Sequence, residues 1–257
     1  MQVLVPVKSF AHAKSRLGPI FDSGVRRQLA RAMAQSVLTE LRLVSGLRRI
    51  LVVSSEPEMR EFCLAMGTDY LWDDGAGGLN GALAAGELEL RPRDDEPLAV
   101  VCADLPFFRA AEFERMLVAH AGLGPQGLTL ASDQHRRGTN VRIATVPGGL
   151  PYRFGESSAP QHLREARRRG VPCQLFKSEA IALDLDTPHS VFDVVQRYEA
   201  AEKAPDNVLF ALQAGLAGER RDRANTIGSK DTERNAGGKS PESFPHPAPG
   251  KDRPWIH

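Results

Sequence analysis

The stretch that decides the fold is PLAVVCADLP, residues 97–106, in which an apolar run ends at a single carboxylate. The run from Leu98 to Cys102 has the length of a buried strand. Asp104 follows where hydrophobic burial stops, and a carboxylate there suits Mg²⁺ as a hard oxygen ligand. The alternative is an Asp that caps the following turn. The stretch therefore predicts a strand that delivers a carboxylate to the end of a sheet.

Similar apolar runs alternate with amphipathic stretches along the first 217 residues. The predicted strands are 3–7, 50–53, 98–102, 128–131, 141–146 and 181–185. The predicted helices are one that follows an N-cap at Asp22-Ser23 and others at 57–66, 79–90, 109–121, 158–169 and 188–203. This order predicts an α/β fold whose mostly parallel mixed sheet has helices on both faces. The close succession of 128–131 and 141–146 predicts an antiparallel insertion.

Composition excludes several classes of partner. Lys plus Arg number 33 and Asp plus Glu number 32, so a net charge of +1 favours neither nucleic acid nor an acidic membrane surface. The three scattered cysteines match no metal spacing and argue against a disulfide framework, which suits a reducing compartment. The N-terminal residues lack the pattern of a signal peptide, and no apolar run is long enough to span a bilayer. We therefore expect a cytoplasmic protein.

The composition changes at about Gly218, where proline, charged and small polar residues replace aliphatic ones. Such a segment cannot bury enough apolar area to offset its ordering entropy. We therefore expect a catalytic domain over 1–217 and a disordered tail over 218–257. The tail contains Gly237–Ser240, which is similar to the end of a phosphate-binding loop, but Glu233 stands where that motif requires its first glycine.

Two loops are candidates for nucleotide binding. The first strand runs into a segment with Lys8, Lys14 and Arg16, three cations that would hold a polyphosphate by charge-assisted hydrogen bonds. The loop 73–81, DDGAGGLNG, leads into a helix, and its glycines permit a close backbone approach to a purine edge or a phosphate. The alternatives are a solvated basic loop and a merely flexible one.

The stretch IALDLDTP, residues 181–188, places two carboxylates at the end of a predicted strand. Asp184 and Asp186 are two apart, so in a strand they project to the same side. Two like charges at such a short distance are unfavourable unless a cation or hydrogen bonds offset them. A divalent metal shared with Asp104 would offset them. Alternatively, Asp186 or Thr187 is the N-cap of a helix that begins at Pro188.

Two further motifs are candidates for holding a small anion. Gly138-Thr139-Asn140 opens a predicted strand, and Phe154-Gly155 with Ser158 opens a predicted helix. Hydroxyl groups and backbone N–H groups at such positions cradle anions.

In this order, the motifs resemble the CofC/FbiD family, guanylyltransferases of deazaflavin coenzyme F-420 biosynthesis. The resemblance covers residues 1–190 and rests on Val5–Lys8, Ala13–Leu17, Gly78–Asn80, Ala103–Pro106, Gly138–Asn140, Phe154-Gly155 with Ser158, and Leu183–Pro188. It implies a compact nucleotidyltransferase fold of the GT-A-like kind. It also implies transfer of GMP from GTP to the phosphate of a three-carbon acid, with release of pyrophosphate. The family's acceptors include 2-phospho-L-lactate, phosphoenolpyruvate and 3-phospho-D-glycerate.

The resemblance also implies roles for single residues. Asp104, Asp184 and Asp186 would hold Mg²⁺ and be catalytic. The acceptor acid would be contacted by Gly155, Ser158 and Thr139, or by Asn140 after a slip of one residue. Lys8, Lys14 and Arg16 as triphosphate contacts, and Leu79-Asn80 beside the guanine, are consistent with it.

The acceptor's phosphate is itself the expected nucleophile, so no general base is required. His12, His135 and His162 are therefore interpreted as ordinary loop or surface residues. Partners are GTP and a small phospho-carboxylic acid, with a homodimer and contact with the next enzyme of the pathway as further hypotheses. Competing interpretations are a nucleotidyltransferase for molybdopterin or a sugar phosphate, and a non-catalytic GTP-binding protein.

Overall fold

The computed structural model describes residues 1–10, 14–146, 149–200, 208, 211–213, 215 and 216. Its strands are β1 (Gln2–Val7), β2 (Arg49–Ser54), β3 (Asp69–Trp72), β4 (Leu98–Val101), β5 (Gly127–Ser132), β6 (Thr139–Thr145) and β7 (Cys173–Leu175). Its helices are α1 (Ser23–Leu43), α2 (Glu58–Met66), α3 (Gly78–Leu90), α4 (Ala110–Ala121), α5 (Ser158–Arg168), α6 (Glu179–Ala182) and α7 (Pro188–Ala200). The predicted tail, with its Gly237–Ser240 motif, lies outside the described residues, so the domain boundary stays a prediction.

The seven strands form one sheet in the order β3-β2-β1-β4-β6-β5-β7. Strand β6 is antiparallel to both of its neighbours, β4 and β5, and the other neighbouring pairs are parallel. The predicted mixed sheet and its antiparallel insertion are therefore confirmed. Because β6 runs against β4, its first residue, Thr139, lies beside the carboxyl end of β4.

Helices cover both faces of this sheet, as predicted. Side chains of successive strand residues point to opposite faces, so Val3 and Val5 pack with Leu41 of α1, whereas Leu4 packs with Leu83 of α3. Helix α1 begins where the sequence predicts, because the Asp22 carboxylate accepts a hydrogen bond of 2.8 Å from the Val25 N–H. None of the described helices is both long and apolar enough to cross a membrane.

The prediction of a strand over 181–185 is wrong. The Ser178 hydroxyl accepts a hydrogen bond from the Ile181 N–H and caps the short helix α6, and the chain then continues as a loop through Asp184 and Asp186. Ile181 is buried in the core, so its apolar character serves a helical turn as well as a strand. Periodicity alone does not separate the two in so short a run.

Two strands, β3 and β7, have no counterpart in the sequence-based prediction. Both are edge strands of the sheet: β3 has four residues and is only half-buried, and β7 has three residues. Tyr70 and Leu71 of β3 pack against the core on opposite faces of the sheet, but a run this short gives no clear strand pattern in the sequence.

Candidate active site

The sheet order places the candidate residues in a row along one edge. The carboxyl ends of β2, β1 and β4 lie side by side, and the start of β6 follows. From one end to the other, this row contains Ser54 at the end of β2, Lys8 after β1, Asp104 after β4 and Thr139 at the start of β6. Ligands of open α/β sheets bind at such an edge.

The middle of the row is a cluster of ion pairs, which we call the charged centre (Lys14, Arg16, Asp104, Asp184 and Asp186). The Lys14 Nζ lies 2.7 Å from Asp104 Oδ2 and 3.7 Å from Asp186 Oδ1, and the Arg16 guanidinium lies 3.0 Å from Asp186 Oδ2. The Lys14 side chain is 8% exposed, whereas the Asp104 and Asp186 side chains are 34% and 35% exposed. An ammonium group therefore forms the deepest part of this site.

One backbone hydrogen bond and one from a side chain bring the two distant acidic stretches together. The Leu185 N–H donates to the Asp104 carbonyl over 3.3 Å, and the Asn140 side-chain amide donates to the Ile181 carbonyl over 2.7 Å. The predicted meeting of these stretches thus occurs through a loop rather than through a strand. The Ser190 N–H at the start of α7 donates to the Thr187 hydroxyl, which leaves the Asp186 carboxylate free to pair with cations.

The electrostatics of the charged centre divide its three carboxyl groups. Burial by itself would raise the pKa of Asp104, but the ion pair with Lys14 outweighs burial and holds that pKa below its usual value. Burial and the neighbouring charge of Asp104 raise the pKa of Asp184 to about 6, against a smaller opposing effect of Lys14. Lys14 therefore neutralises Asp104 well and leaves excess negative charge at Asp184.

The donor set fits Mg²⁺ in its chemistry, because three coupled carboxylates retain negative charge that the two cations Lys14 and Arg16 do not fully balance. Among the residues that the structure describes, however, no group of three or more His, Cys, Asp or Glu side chains is arranged to hold a metal ion. Mg²⁺ in nucleotide sites commonly takes one or two carboxylates and completes its shell with phosphates and water. The geometry is thus compatible with metal that arrives with a phosphorylated ligand.

A cavity of about 250 Å³ lies at the β2 end of the row. Its walls come from the ends of β1 and β2 and from the start of α3, and they include Lys8, Ser54, Asp73 and Leu79. Asn80 has a different position: its amide accepts from the Phe154 N–H over 2.8 Å and donates to the Phe154 carbonyl over 3.0 Å. Leu79 is therefore placed at the cavity, and Asn80 is committed to holding a neighbouring segment.

Glu56 is a supporting residue that the sequence analysis missed. Its buried carboxylate accepts hydrogen bonds from the Ser9 hydroxyl at 3.1 Å and from the Phe10 N–H at 2.9 Å. It thereby fixes the start of the loop that carries the basic residues. The signal was an acid within three residues of the end of an apolar run, a pattern similar to the one that singled out Asp104.

The β6 end of the row carries a second cluster, which we call the hydroxyl cluster (Thr139, Ser158 and His162). The Thr139 Oγ1 lies 3.0 Å from the Ser158 Oγ and 3.2 Å from the His162 Nδ1. All three residues are buried. Asn140 points to α6 instead, so the structure groups Thr139, and not Asn140, with Ser158.

The interpretation of His162 as a surface or loop residue is wrong. It lies one helical turn after Ser158 on the buried face of α5, and its ring meets the Phe154 ring edge to face at 5.0 Å. Burial, followed by the positive charges of Arg142 and Arg153, lowers its pKa to about 3. His135 is exposed, as expected, and His12 lies outside the described residues.

The first turn of α5 lies next to the hydroxyl cluster and is partly free to bind a ligand. No side chain caps the helix N-terminus, but the Ala159 N–H donates to the Arg137 carbonyl over 3.0 Å, and the next residue is a proline, which has no N–H. Within the described residues, the Ser158 N–H is the donor that remains in this turn, and it follows Gly155, which has φ +130°. An N–H group at a helix start carries partial positive charge and attracts anions. The Ser158 N–H and the Thr139–Ser158 hydroxyls together form a site suited to a small anion.

The fold has known counterparts. It is similar to a structure described as a nucleotide-diphospho-sugar transferase from Desulfovibrio desulfuricans G20, with a TM-score of 0.64 and 15% identity over 86% of this chain and 96% of that one. It is also similar to CMP:2-keto-3-deoxy-manno-octonic acid synthetase in complex with CTP, with a TM-score of 0.51 and 13% identity over 77% of this chain and 98% of that one. The fold is therefore that of the nucleotidyltransferases.

Sequence comparison narrows the class to a family. The family described as "Guanylyl transferase CofC like" matches residues 1–206. A phosphoenolpyruvate guanylyltransferase from Rubrobacter xylanophilus is 38% identical over 188 residues, which are 73% of this chain and 90% of the relative. A 2-phospho-L-lactate guanylyltransferase from Methanothermobacter thermautotrophicus is 29% identical over 75% of this chain and 82% of the relative. The chain belongs to the CofC-like family, and the protein is a guanylyltransferase.

Proposed function

We propose that this enzyme transfers GMP from GTP to the phosphate of a three-carbon phospho-carboxylic acid, releasing pyrophosphate and forming a diphosphoguanosine intermediate of coenzyme F-420 biosynthesis. The observation that carries this proposal is the row along the sheet edge, where a cavity, a charged centre and an anion site follow one another. A nucleoside triphosphate and a small anionic acceptor need those three features in that order.

The cavity beside β1 and β2 is the proposed site of the guanosine. Leu79 offers an apolar surface to the base, and the start of α3 offers backbone N–H groups. Lys8 lies between this cavity and the charged centre, so a triphosphate that leaves the cavity would run along Lys8 towards Lys14 and Arg16.

Asp104, Asp184 and Asp186 would hold Mg²⁺ together with the phosphates of GTP. A metal bound there supplies positive charge that offsets the negative charge of the phosphates. The cationic side chains of Lys14 and Arg16 add to this effect. They lower the repulsion between two polyanions and stabilise the charge that moves to the leaving pyrophosphate.

The acceptor acid would bind at the hydroxyl cluster and the open turn at Gly155. Its phosphate has a second pKa near ~6 and is largely a dianion at neutral pH, so it attacks the α-phosphorus without a general base. His162 is not given the role of a base in this proposal, since both of its ring nitrogens have hydrogen-bond partners.

The decisive experiment is mass spectrometry of the products formed from GTP and Mg²⁺ with phosphoenolpyruvate, 2-phospho-L-lactate and 3-phospho-D-glycerate in competition. Phosphoenolpyruvate is the first acceptor to test, since the relative from R. xylanophilus is named for it. We expect a guanylylated acid and stoichiometric pyrophosphate. Transfer from another nucleotide, or only to molybdopterin or a sugar phosphate, would overturn the proposal. GTP binding without turnover would favour a non-catalytic protein.

Association with a second copy of the chain or with the next enzyme of the pathway is a separate proposal. Light scattering of the purified protein, alone and mixed with that enzyme, tests it. A monomer with no complex would contradict both.

A further inference from the structure

The hydrogen bonds of His162 fix which ring nitrogen carries its proton. The Arg153 backbone N–H lies 2.9 Å from the His162 Nε2. A backbone N–H only donates, so Nε2 must accept, and the single proton of the neutral ring is on Nδ1. The burial that lowers the pKa of His162 to about 3 agrees with a neutral ring. Nδ1–H therefore donates towards the Thr139 hydroxyl, 3.2 Å away.

Because Nδ1 donates to Thr139, one hydroxyl hydrogen of the cluster stays unused. Thr139 and Ser158 carry two hydroxyl hydrogens, and the 3.0 Å contact between their oxygens uses one of them. Because Nδ1 is protonated, it accepts neither. The count is the same if the Nδ1 proton is shared with the Ser158 carbonyl, whose contact with the ring opposes the lowering of its pKa. The hydrogen bonds found among the described residues provide no acceptor for the remaining hydrogen.

The unused donor lies at the site that the proposed function gives to the acceptor. Ser158 begins α5, where no side chain caps the helix and the hydrogen bonds of the described residues leave the Ser158 N–H unused, and Thr139 begins β6 beside the end of β4. The Cys102 N–H donates to the Asn140 carbonyl over 2.9 Å, which fixes the start of β6 against the strand that delivers Asp104. An anionic oxygen at this point would meet the hydroxyl hydrogen and the Ser158 N–H together.

We propose that His162 is a positioning residue that orients the Thr139–Ser158 pair so that its free hydroxyl hydrogen binds an anionic oxygen of the acceptor acid. This inference rests on the proposed function. His162 does not touch the substrate. It acts by filling the acceptor capacity of Thr139, so that the hydroxyl pair must turn one donor outwards.

Two variants of similar size separate this role from simple packing. In His162→Asn, the amide nitrogen takes the place of Nδ1 and still donates to Thr139. In His162→Gln, the amide oxygen takes the place of Nε2, accepts from the Arg153 N–H and leaves Thr139 without its donor. Both variants lose the ring contact with Phe154.

We expect the KM for the acceptor acid to rise about tenfold or more in His162→Gln and to rise less than threefold in His162→Asn, as for loss of a hydrogen bond to a charged group. The KM for GTP should stay within twofold in both, because the nucleotide cavity lies at the other end of the row. Equal effects of the two variants, or equal changes in both KM values, would show a packing role and overturn the inference.

A second pair keeps the inference testable if the His162 variants do not fold, which thermal melting would show. Thr139→Val removes the hydroxyl with little change in shape, and Thr139→Ser retains it. We expect the acceptor KM to rise about tenfold in Thr139→Val and to recover in Thr139→Ser. Equal acceptor KM values in the two would overturn the inference. An inactive wild-type enzyme with every acid would instead overturn the proposed function, and the inference with it.

Discussion

The charged centre and the hydroxyl cluster lie at the same sheet edge, one after β4 and the other at the start of β6, and they are built in opposite ways. In the charged centre, Asp104 and Asp186 are about one-third exposed, with side chains 34% and 35% accessible, and are held by ion pairs. In the hydroxyl cluster, Thr139, Ser158 and His162 are 5% exposed or less and are neutral. The charged centre is partly exposed and charged, whereas the hydroxyl cluster is buried and holds its hydrogen-bond donors in fixed directions.

The difference follows from what each site would bind. Phosphates and metal ions bring large charges of their own, and ion pairs near solvent exchange partners at small cost. Selection among small acids depends on a few donors in fixed positions, and buried neutral hydrogen bonds hold such donors. If this comparison is right, substitutions in the charged centre act on turnover, and substitutions in the hydroxyl cluster act on acceptor binding.

The largest effect is expected for Asp104→Asn, which tests the charged centre. The variant keeps the shape of the side chain but removes the charge that pairs with Lys14 and would bind Mg²⁺. We expect pyrophosphate release to fall about 10³-fold, as for loss of a charge that stabilises a transition state.

The matched control for this variant is Asp95→Asn, since the Asp95 side chain is 85% exposed and outside the row. It should keep wild-type activity. Near-normal pyrophosphate release by Asp104→Asn with Mg²⁺ would remove the metal assignment and the contrast between the two sites.

A smaller effect is expected for Lys14→Met. The change leaves three coupled carboxylates without their buried cation, so GTP meets more negative charge. We expect kcat/KM for GTP to fall about 10²-fold, while the KM for the acceptor changes little. Initial rates with varied GTP and varied acid measure this split, and Lys177→Met, on the exposed surface, is the control. A rise confined to the acceptor KM would contradict the assignment of GTP to the charged centre and of the acceptor to the hydroxyl cluster.

The sequence predicted the sheet edge well because the strands that form it are buried on both faces. Runs such as 98–102 and 141–146 have to be apolar there, and a polar residue that ends them marks the edge. The same rule failed at 181–185, where Ser178 caps a helical turn, and at the half-buried β3.

The roles of side chains within the site were less predictable. The sequence identified Asp104, Asp184 and Asp186 as acids of the site, but it gave no sign that Lys14 would lie buried beside Asp104, 90 residues away along the chain. His162 gave no signal, because a histidine on an amphipathic helix has the same pattern whether it is buried or exposed. Its importance comes from its contacts with Arg153 and Thr139, which lie 9 and 23 residues before it in the sequence.

The pH dependence of stability tests whether the hydroxyl cluster is neutral. The pKa of His162 is about 3 in the folded protein, below its ordinary value of 6.5. As the pH falls below 6.5, the unfolded chain binds a proton that the folded protein does not, so the free energy of unfolding decreases. This contribution is about 2 kcal/mol at pH 5. Denaturant unfolding of His162→Asn at pH 5 and pH 8 should show a weaker dependence than wild type.

A second buried histidine provides a control for that experiment. His120 is buried between Thr129 and Thr145 with a pKa lowered to about 4, so His120→Asn should weaken the pH dependence as well. An unchanged dependence in His162→Asn would mean that the folded ring binds a proton as readily as the unfolded chain does, which contradicts a ring whose Nε2 stays unprotonated to accept from the Arg153 N–H.

The smallest effect is expected for Gly155→Ala, which asks whether the anion site depends on backbone shape. Gly155 has φ +130°, and a methyl group there would meet nothing within 4 Å. Any cost is therefore conformational strain and not a clash, and we expect a loss of about 1–2 kcal/mol of stability. Gly81→Ala is the matched control, since Gly81 lies in α3 with equally open space and an ordinary φ, and alanine should stabilise it by about 0.5–1 kcal/mol.

The Gly155 variant also separates the two ways in which this end of the row would bind the acceptor. If the chain relieves its strain by rotating the backbone at Gly155, the N–H groups of the segment that leads into α5 change direction, while Thr139 and Ser158 keep their positions in β6 and α5. The KM for the acceptor should then rise about threefold to tenfold without a change in the KM for GTP. A variant that loses stability but keeps its acceptor KM would show that the hydroxyl pair alone holds the acid.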